Sequence, residues 1–494
     1  MTLRHHRRLP FGAELIAPDR TRFRLWAPSC ERVSLAIEGR DEIAMLTAGE
    51  GWFEVDADCG AGTHYRYRVV PQADGDDGAG ALLVPDPASR AQVDDVHGPS
   101  IVIDPESYRW THDDWRGRAW CETVIYEIHV GLAGGFRGVQ HLLPQLADLG
   151  VTAIELMPLA EFSGARNWGY DGALPFAPDT AYGTPDELKA LVDAAHGHGL
   201  MVFLDVVYNH FGPEGNYIGT YADAFFRDDI KTPWGRAIDF RIAEVRDFFR
   251  NNALFWLMEY RLDGLRLDAT HSIVPQDWLK DLSMFVLDMV DVSRHVHLVI
   301  EHEGNAAHLL GPTPINTRGY DAQWNDDGHH VLHVLLTGET DGYYVDFAEA
   351  PEDKLARCLA EGFVYQGQPS IFREGVPRGE PSKDLPPTAF VLFLQNHDQI
   401  GNRAFGQRLT TLADPAALWA ASALVLLSPQ IPLLFMGEEW GATEPFLYFT
   451  SYPDEELAAA VRDGRRNEFA NARGFSDPAS RYRIPDPNAP ATFE

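Results

Sequence analysis

The chain has 494 residues, 45% of them hydrophobic and 11% aromatic, which is material for a large core with a smaller companion domain and lies far from the composition of disordered chains. Its 41 basic and 73 acidic residues give a formal net charge of −32; such a surface repels phosphate backbones and anionic lipid headgroups, so a neutral substrate is expected and neither a nucleic-acid nor a membrane partner. Cys30, Cys59, Cys121 and Cys358 lie far apart with no CxxC pair, which excludes a zinc knuckle and a disulfide framework as readings and leaves reduced, mostly packed thiols.

The start, "MTLRHHRRLPFGAELIAPDR", is basic but lacks the apolar core of a signal peptide, and no apolar run is long enough to span a bilayer, so a cytoplasmic protein is expected. From Phe11 to about Val70, short alternating runs ("TRFRLWAP", "RVSLAIEG", "GWFEVDAD", "THYRYRVV") are separated by turn residues, which predicts an N-terminal β-sandwich over residues 1–110. Within it, "PQADGDDGAG" reads as a polar loop and "DPASRAQVDDVHGPS" as an irregular connector.

Strands and amphipathic helices then alternate over residues 111–460. "TVIYEIHVG" reads as a strand, "GVQHLLPQLADLG" as a helix interrupted at Pro144, "VTAIELMPL" as a strand and "DELKALVDAAHGHG" as a helix. "LMVFLDVVYNH", "LDGLRLDATH", "VHLVIEHE", "TAFVLFLQNHD" and "IPLLFMGEE" continue the strands, with a weaker candidate at "YDAQWN". Strands apolar on both faces and joined by helical crossovers imply a parallel sheet, and a count close to eight favours a (β/α)8 barrel of the α/β class over a doubly wound sheet. Residues 461–494 read as a C-terminal tail.

In such a barrel the chemistry belongs at the carboxyl ends of the strands. "FLDVVYNH" places Asp205 inside a strand, where an unpaired charge is costly, so a structural ion pair is its expected role. "GLRLDATH" puts Arg266 and Asp268 two apart on one side of a strand; a stabilising pair and a catalytic one both fit. "HLVIEHEGN" delivers Glu301 after an apolar run, with Glu303 on the same side if the strand continues, and "FLQNHDQIGNR" delivers His397 and Asp398. Three acids at one mouth repel one another unless their protonation differs, and glycoside hydrolysis uses that difference: one carboxylate attacks, one donates a proton, and a third stabilises the cationic transition state. "NWGYDG" offers Trp168 and Tyr170 either to a sugar face or as a lid on the rim. "DAQWNDDGHH" crowds Asp326, Asp327, His329 and His330; it could be a metal site, yet HExxH is absent and polyol binding is preferred.

"DVVYNH", "GLRLDATH", "LVIEHE" and "FLQNHD" occur in the order and positions of the four characteristic segments of the α-amylase superfamily. "YNHFGPEGNY", "YDAQWNDDGHH", "LLTGE" and "QNHDQIGNR" further resemble its malto-oligosyltrehalose trehalohydrolase family, from "FGAEL" to "MGEEWGA" and slightly beyond. The resemblance implies Asp268 as nucleophile, Glu301 as general acid/base and Asp398 as transition-state stabiliser. Arg266, His210 and His397 would hold nucleophile and sugar, with Tyr170 stacking on that sugar. Sugar contacts are implied from the Arg266–His271 segment, from Asp326, Asp327, His329 and His330, and from Gln399 and Asn402. No cofactor and no catalytic metal are expected; the partner is malto-oligosyltrehalose or another α-glucan oligosaccharide, cleaved with retention, and the family's usual C-terminal β-domain is expected to be missing. A different α-glucan enzyme of the superfamily, a non-catalytic carbohydrate-binding barrel and a metal-dependent hydrolase are the competing readings.

Overall fold

The alternating N-terminal runs form two antiparallel sheets in the computed structural model, which describes residues 8–72, 80–311, 319–471 and 477–494. One sheet orders Gly12–Ala17, Arg20–Trp26, Trp52–Ala57 and Leu46–Gly49; the other orders Ile43–Ala44, Cys30–Ile37, His64–Pro71 and Leu82–Val84, with Ser100–Ile101 pairing on His64–Pro71. Because side chains alternate along a strand, Phe23, Leu25, Val33, Leu35, Tyr65, Tyr67 and Val69 are buried together. Most of the polar loop expected at "PQADGDDGAG" lies outside the described residues, as do the first seven residues. The sandwich leans on the barrel through Phe11, edge-on to Phe248 at 5.3 Å, and through Arg90, 4% exposed, which donates to Glu14 at 2.8 Å and lies 3.9 Å from Glu259.

The eight expected strands close a parallel barrel in sequence order: Ile125–Ile128, Ala153–Leu156, Met201–Val206, Gly264–Leu267, His297–Ile300, Ala322–Trp324, Phe390–Phe393 and Ile431–Phe435. The last pairs back on the first, with Leu433 opposite Ile125. The weak candidate at "YDAQWN" supplies the sixth strand. Period-two alternation sends Tyr126, Ile154, Val202, Leu204, Leu265 and Leu267 outward under the helices, while Ile125, Ala153, Met201, Phe203, Val299, Trp324, Phe393 and Leu433 fill the interior. The same alternation turns Glu127, Glu155, Asp205 and Arg266 inward. Gly264 is required by space: a Cβ there would stand 2.7 Å from the Phe203 ring and 2.8 Å from the His297 carbonyl.

Two expectations need correction. The helix Gly135–Leu149 runs unbroken through Pro144. Pro144 is exposed and forfeits only a bond to the Gln140 carbonyl, while Phe136, Val139, Leu143 and Leu146 bury on both sides of it and offset a cost of about 3 kcal/mol. The fifth strand ends at Ile300, so Glu303 does not continue the inward row. The helix Glu455–Glu468 follows the last strand and spans residue 460. Among the described residues no helix is long and apolar enough to cross a membrane. All four cysteines are free, and only Cys121 is exposed.

Candidate active site

One guanidinium organises the mouth of the barrel. Arg266 projects inward from the fourth strand, 1% exposed, with its Cζ 4.0 Å from the centroid of the Trp324 ring. Its Nη1 donates to Asp205 Oδ2 at 2.5 Å and to Asp268 Oδ1 at 3.1 Å, and its Nη2 donates to Glu301 Oε2 at 2.8 Å. Fork geometry allows this: a planar guanidinium can serve several carboxylates at once, where an ammonium acts as a point charge. Asp268 receives a second hydrogen bond, from Asn209 Nδ2 to Oδ2 at 3.0 Å. Glu301 receives one from the amide of Ala269 at 2.8 Å. That amide is aimed by a left-handed turn at Ala269, φ +40°, a conformation costly for alanine and held in place by its surroundings. Asp205 is engaged as expected of a structural carboxylate, since Tyr170 also donates its hydroxyl to it at 2.5 Å.

The seventh strand delivers the other half. Asn396 caps the short helix His397–Gly401, and Gln399 completes the capping box by accepting from the Asn396 amide at 3.1 Å. Buried His397 pairs through Nδ1 with Glu127 on the first strand; burial opposes its charge, but Glu127 outweighs burial and raises its pKa to about 9, so it is a cation at neutral pH. Tyr170 stacks on the His397 ring at 5.0 Å. Burial, reinforced by Glu301 and opposed by His397, raises the Asp398 carboxyl above its ordinary value; Asn402 donates to Asp398 Oδ1 at 2.8 Å. His210 stacks on Trp234 at 4.6 Å, and burial lowers it to about 4, so its ring is neutral.

A recess of about 280 Å³ opens over Glu301 and Asp398 and is also lined by His271, Asp326, His330, Gln399 and Asn402. Tyr343, Asp346, Phe347, Phe372, Arg373 and Arg378 also line its wall, none of which the sequence singled out. Glu303 pairs there with Arg373, and its side chain is 54% exposed against 18% for Glu301. Of the residues expected at the sugar, Tyr170, His210, Arg266 and His397 stand outside the lining of this recess, as does Asp268, and Asp327 and His329 are packed away from it. Asp327 is fully buried, accepting from Asn305 and from the Val364 and Tyr365 amides at 2.9 Å each and from Arg378 at 2.6 Å. His329, 1% exposed, is engaged by the Leu394 carbonyl at 2.5 Å and the Tyr344 hydroxyl at 2.9 Å. Trp168 takes the rim role: 5% exposed, it donates its indole N–H to the Leu447 carbonyl at 3.0 Å and stacks on Phe446. Among the described residues no group of three or more His, Cys, Asp or Glu is arranged to hold a metal ion.

The sequence reading missed Glu127 and Glu155. Each is a lone acid inside an apolar strand, the signal that drew attention to Asp205. Glu155 is 1% exposed and neither carboxyl oxygen has a hydrogen-bond partner among the described residues; burial, Glu127 and Asp205 push it well above the usual carboxylate range, which favours its protonated form. An acid whose pKa is raised on folding destabilises the fold as pH climbs past its unfolded value, by about 1.4 kcal/mol per unit of the gap covered. Glu155→Gln, permanently neutral, is therefore expected to gain Tm over the parent at pH 8 and to match it near pH 5. An equal difference at both pH values in thermal melts would refute that protonation state.

An eight-stranded parallel barrel whose strand ends present an arginine-bridged set of carboxylates defines a glycoside hydrolase of the α-amylase class, and the family model for the alpha amylase catalytic domain matches residues 100–234. The chain is 40% identical over 477 residues to the malto-oligosyltrehalose trehalohydrolase of Deinococcus radiodurans, covering 96% of this chain and 76% of that one. It is 40% identical to the enzyme of that name from Saccharolobus solfataricus, covering 93% and 80%. A crystal structure of a putative alpha amylase from Salmonella typhimurium superposes with a TM-score of 0.92 at 48% identity, over 98% of this chain and 81% of that one. A pullulanase from Paenibacillus barengoltzii shares the fold, with a TM-score of 0.70 at 23% identity over 94% and 80%. The chain belongs to the malto-oligosyltrehalose trehalohydrolase family.

Proposed function

We propose that the protein hydrolyses the α-1,4-glucosidic bond next to the terminal trehalose of malto-oligosyltrehalose, releasing trehalose with retention through a glycosyl-enzyme. The observation that carries this reading is the guanidinium of Arg266 donating to Asp268 and Glu301 together, which keeps two carboxylates side by side at one mouth. Asp268, steadied by Arg266 and Asn209, is the nucleophile: a carboxylate oxygen forms a bond to the anomeric carbon as the glycosidic C–O bond breaks. Glu301 gives its proton to the leaving oxygen, then takes one from the water that hydrolyses the ester and is reset. Asp398 faces the same recess and stabilises the positive charge that spreads over the ring oxygen and anomeric carbon. His397 and Tyr170, stacked on one another beside these carboxylates, are assigned to the glucosyl ring, and Glu303, committed to Arg373, is left out of the proton transfers.

The test is chromatography of products from malto-oligosyltrehalose and from plain malto-oligosaccharide of matched length. Trehalose from the former with little cleavage of the latter is expected. Comparable cleavage of both would overturn the trehalose specificity and leave a general α-glucan hydrolase; inertness toward both would overturn the hydrolase reading.

A further inference from the structure

The carboxylate of Asp398 takes its orientation from a segment that reaches across to the last long helix. Arg465, on the helix Glu455–Glu468, is 8% exposed. Its Nη2 donates to the Gly401 carbonyl at 2.6 Å and to the Arg403 carbonyl at 3.1 Å, while its Nη1 donates to Glu468 at 2.8 Å. Gly401 ends the helix His397–Gly401; the Asp398 and Ile400 carbonyls accept from the Asn402 and Arg403 amides at 2.9 and 3.1 Å, the Gly401 carbonyl is taken by Arg465, and a cation at a helix C-terminus is favoured by the dipole as well. On Gly401 a Cβ would fall 2.0 Å from Trp168 Cζ2, so the backbone lies flush against that indole and no larger residue fits. A third hold comes through Arg403, whose guanidinium donates to both oxygens of Glu339 at 2.7 and 2.9 Å. Between the two pinned carbonyls stands Asn402, the donor to Asp398.

We propose that Arg465 is a positioning residue for the hydrolysis: by tying down the carbonyls on either side of Asn402 it fixes the amide that holds the Asp398 carboxylate toward the sugar. The inference rests on the role given to Asp398 above. It assigns the helix beyond the barrel's last strand a task in the chemistry and not only in packing. Loss of the guanidinium lets the 401–403 segment drift, and displacement of about 1 Å at a charge-stabilising group costs on the order of 10²-fold in rate.

The experiment is a double-mutant cycle in the full chain, with malto-oligosyltrehalose as substrate. Arg465→Met keeps the stem and removes the donors; it is expected to lower kcat about 10- to 100-fold with KM nearly unchanged. In an Asn402→Ala background the same change is expected to cost little more, because both act through one carboxylate. Full additivity, or unchanged kcat in Arg465→Met, would overturn the proposal and leave Arg465 as packing. Should Arg465→Met not fold, Arg465→Lys, which keeps the charge and can reach one carbonyl, carries the same cycle. Asp398→Asn is run alongside: if it keeps full activity, the role of Asp398 itself fails, a result separable from failure of the Arg465 coupling.

Discussion

Asp268→Asn is expected to lower trehalose release by about 10⁴-fold or more while leaving the fold intact. The amide matches the carboxylate in size, and one end can still accept from Arg266, now 3.1 Å from Oδ1. Its other end meets Asn209, which donates to Oδ2 at 3.0 Å and must turn its amide to accept instead. That rearrangement is local, so Tm is expected to move by only a few degrees. The chemical loss is of another order, because a neutral amide lacks the anionic oxygen that forms the glycosyl ester. Activity assays on freshly purified variant and parent decide it: retention of activity within about tenfold would remove Asp268 from the mechanism and reopen the choice among the inward carboxylates.

The barrel was legible in the sequence because burial on both faces writes each strand as a short apolar run, and even the three-residue strand Ala322–Trp324 left a trace at "YDAQWN". The placement of Asp268, Glu301 and Asp398, the acids proposed above for the chemistry, was legible for a related reason: each follows closely on such a run, and a parallel barrel gathers those strand ends at one mouth. What failed was direction on a helix. Asp326 and His330 are four apart at the start of the helix Asp326–Thr337 and so share the face that lines the recess. Asp327 and His329 turn away to either side of that face by the helix's 100° steps, into packing against Arg378 and Tyr344. Arg465 gave no signal of a link to the site, since it reaches the site through backbone carbonyls more than sixty residues away. Arg373 and Tyr343 reach the recess from segments that carry no strand-end pattern.

Removing the guanidinium at position 266 is expected to produce the largest combined loss of stability and activity of any single substitution in the site. Arg266→Met keeps a stem to pack on Trp324 but leaves Asp205, Asp268 and Glu301 facing one another without their shared cation. Breaking a buried pair by deleting one partner costs about 3–5 kcal/mol, because the surviving charge stays desolvated. Arg266→Lys is expected to recover only part of this: an ammonium can sit beside one carboxylate but cannot span from Asp205 to Glu301. The pH dependence distinguishes charge from packing. Burial already pushes Asp205 up to about 7 against the pull of Arg266, and without that pull its pKa goes higher still. A carboxyl raised on folding is protonated and harmless at low pH and is penalised as pH climbs toward its folded value. Urea unfolding of Arg266→Met and parent should therefore show a deficit that is greatest at pH 8 and narrows toward pH 5. A deficit equal at both would mean that the guanidinium's contact with Trp324, and not its charge, is what the barrel mouth loses.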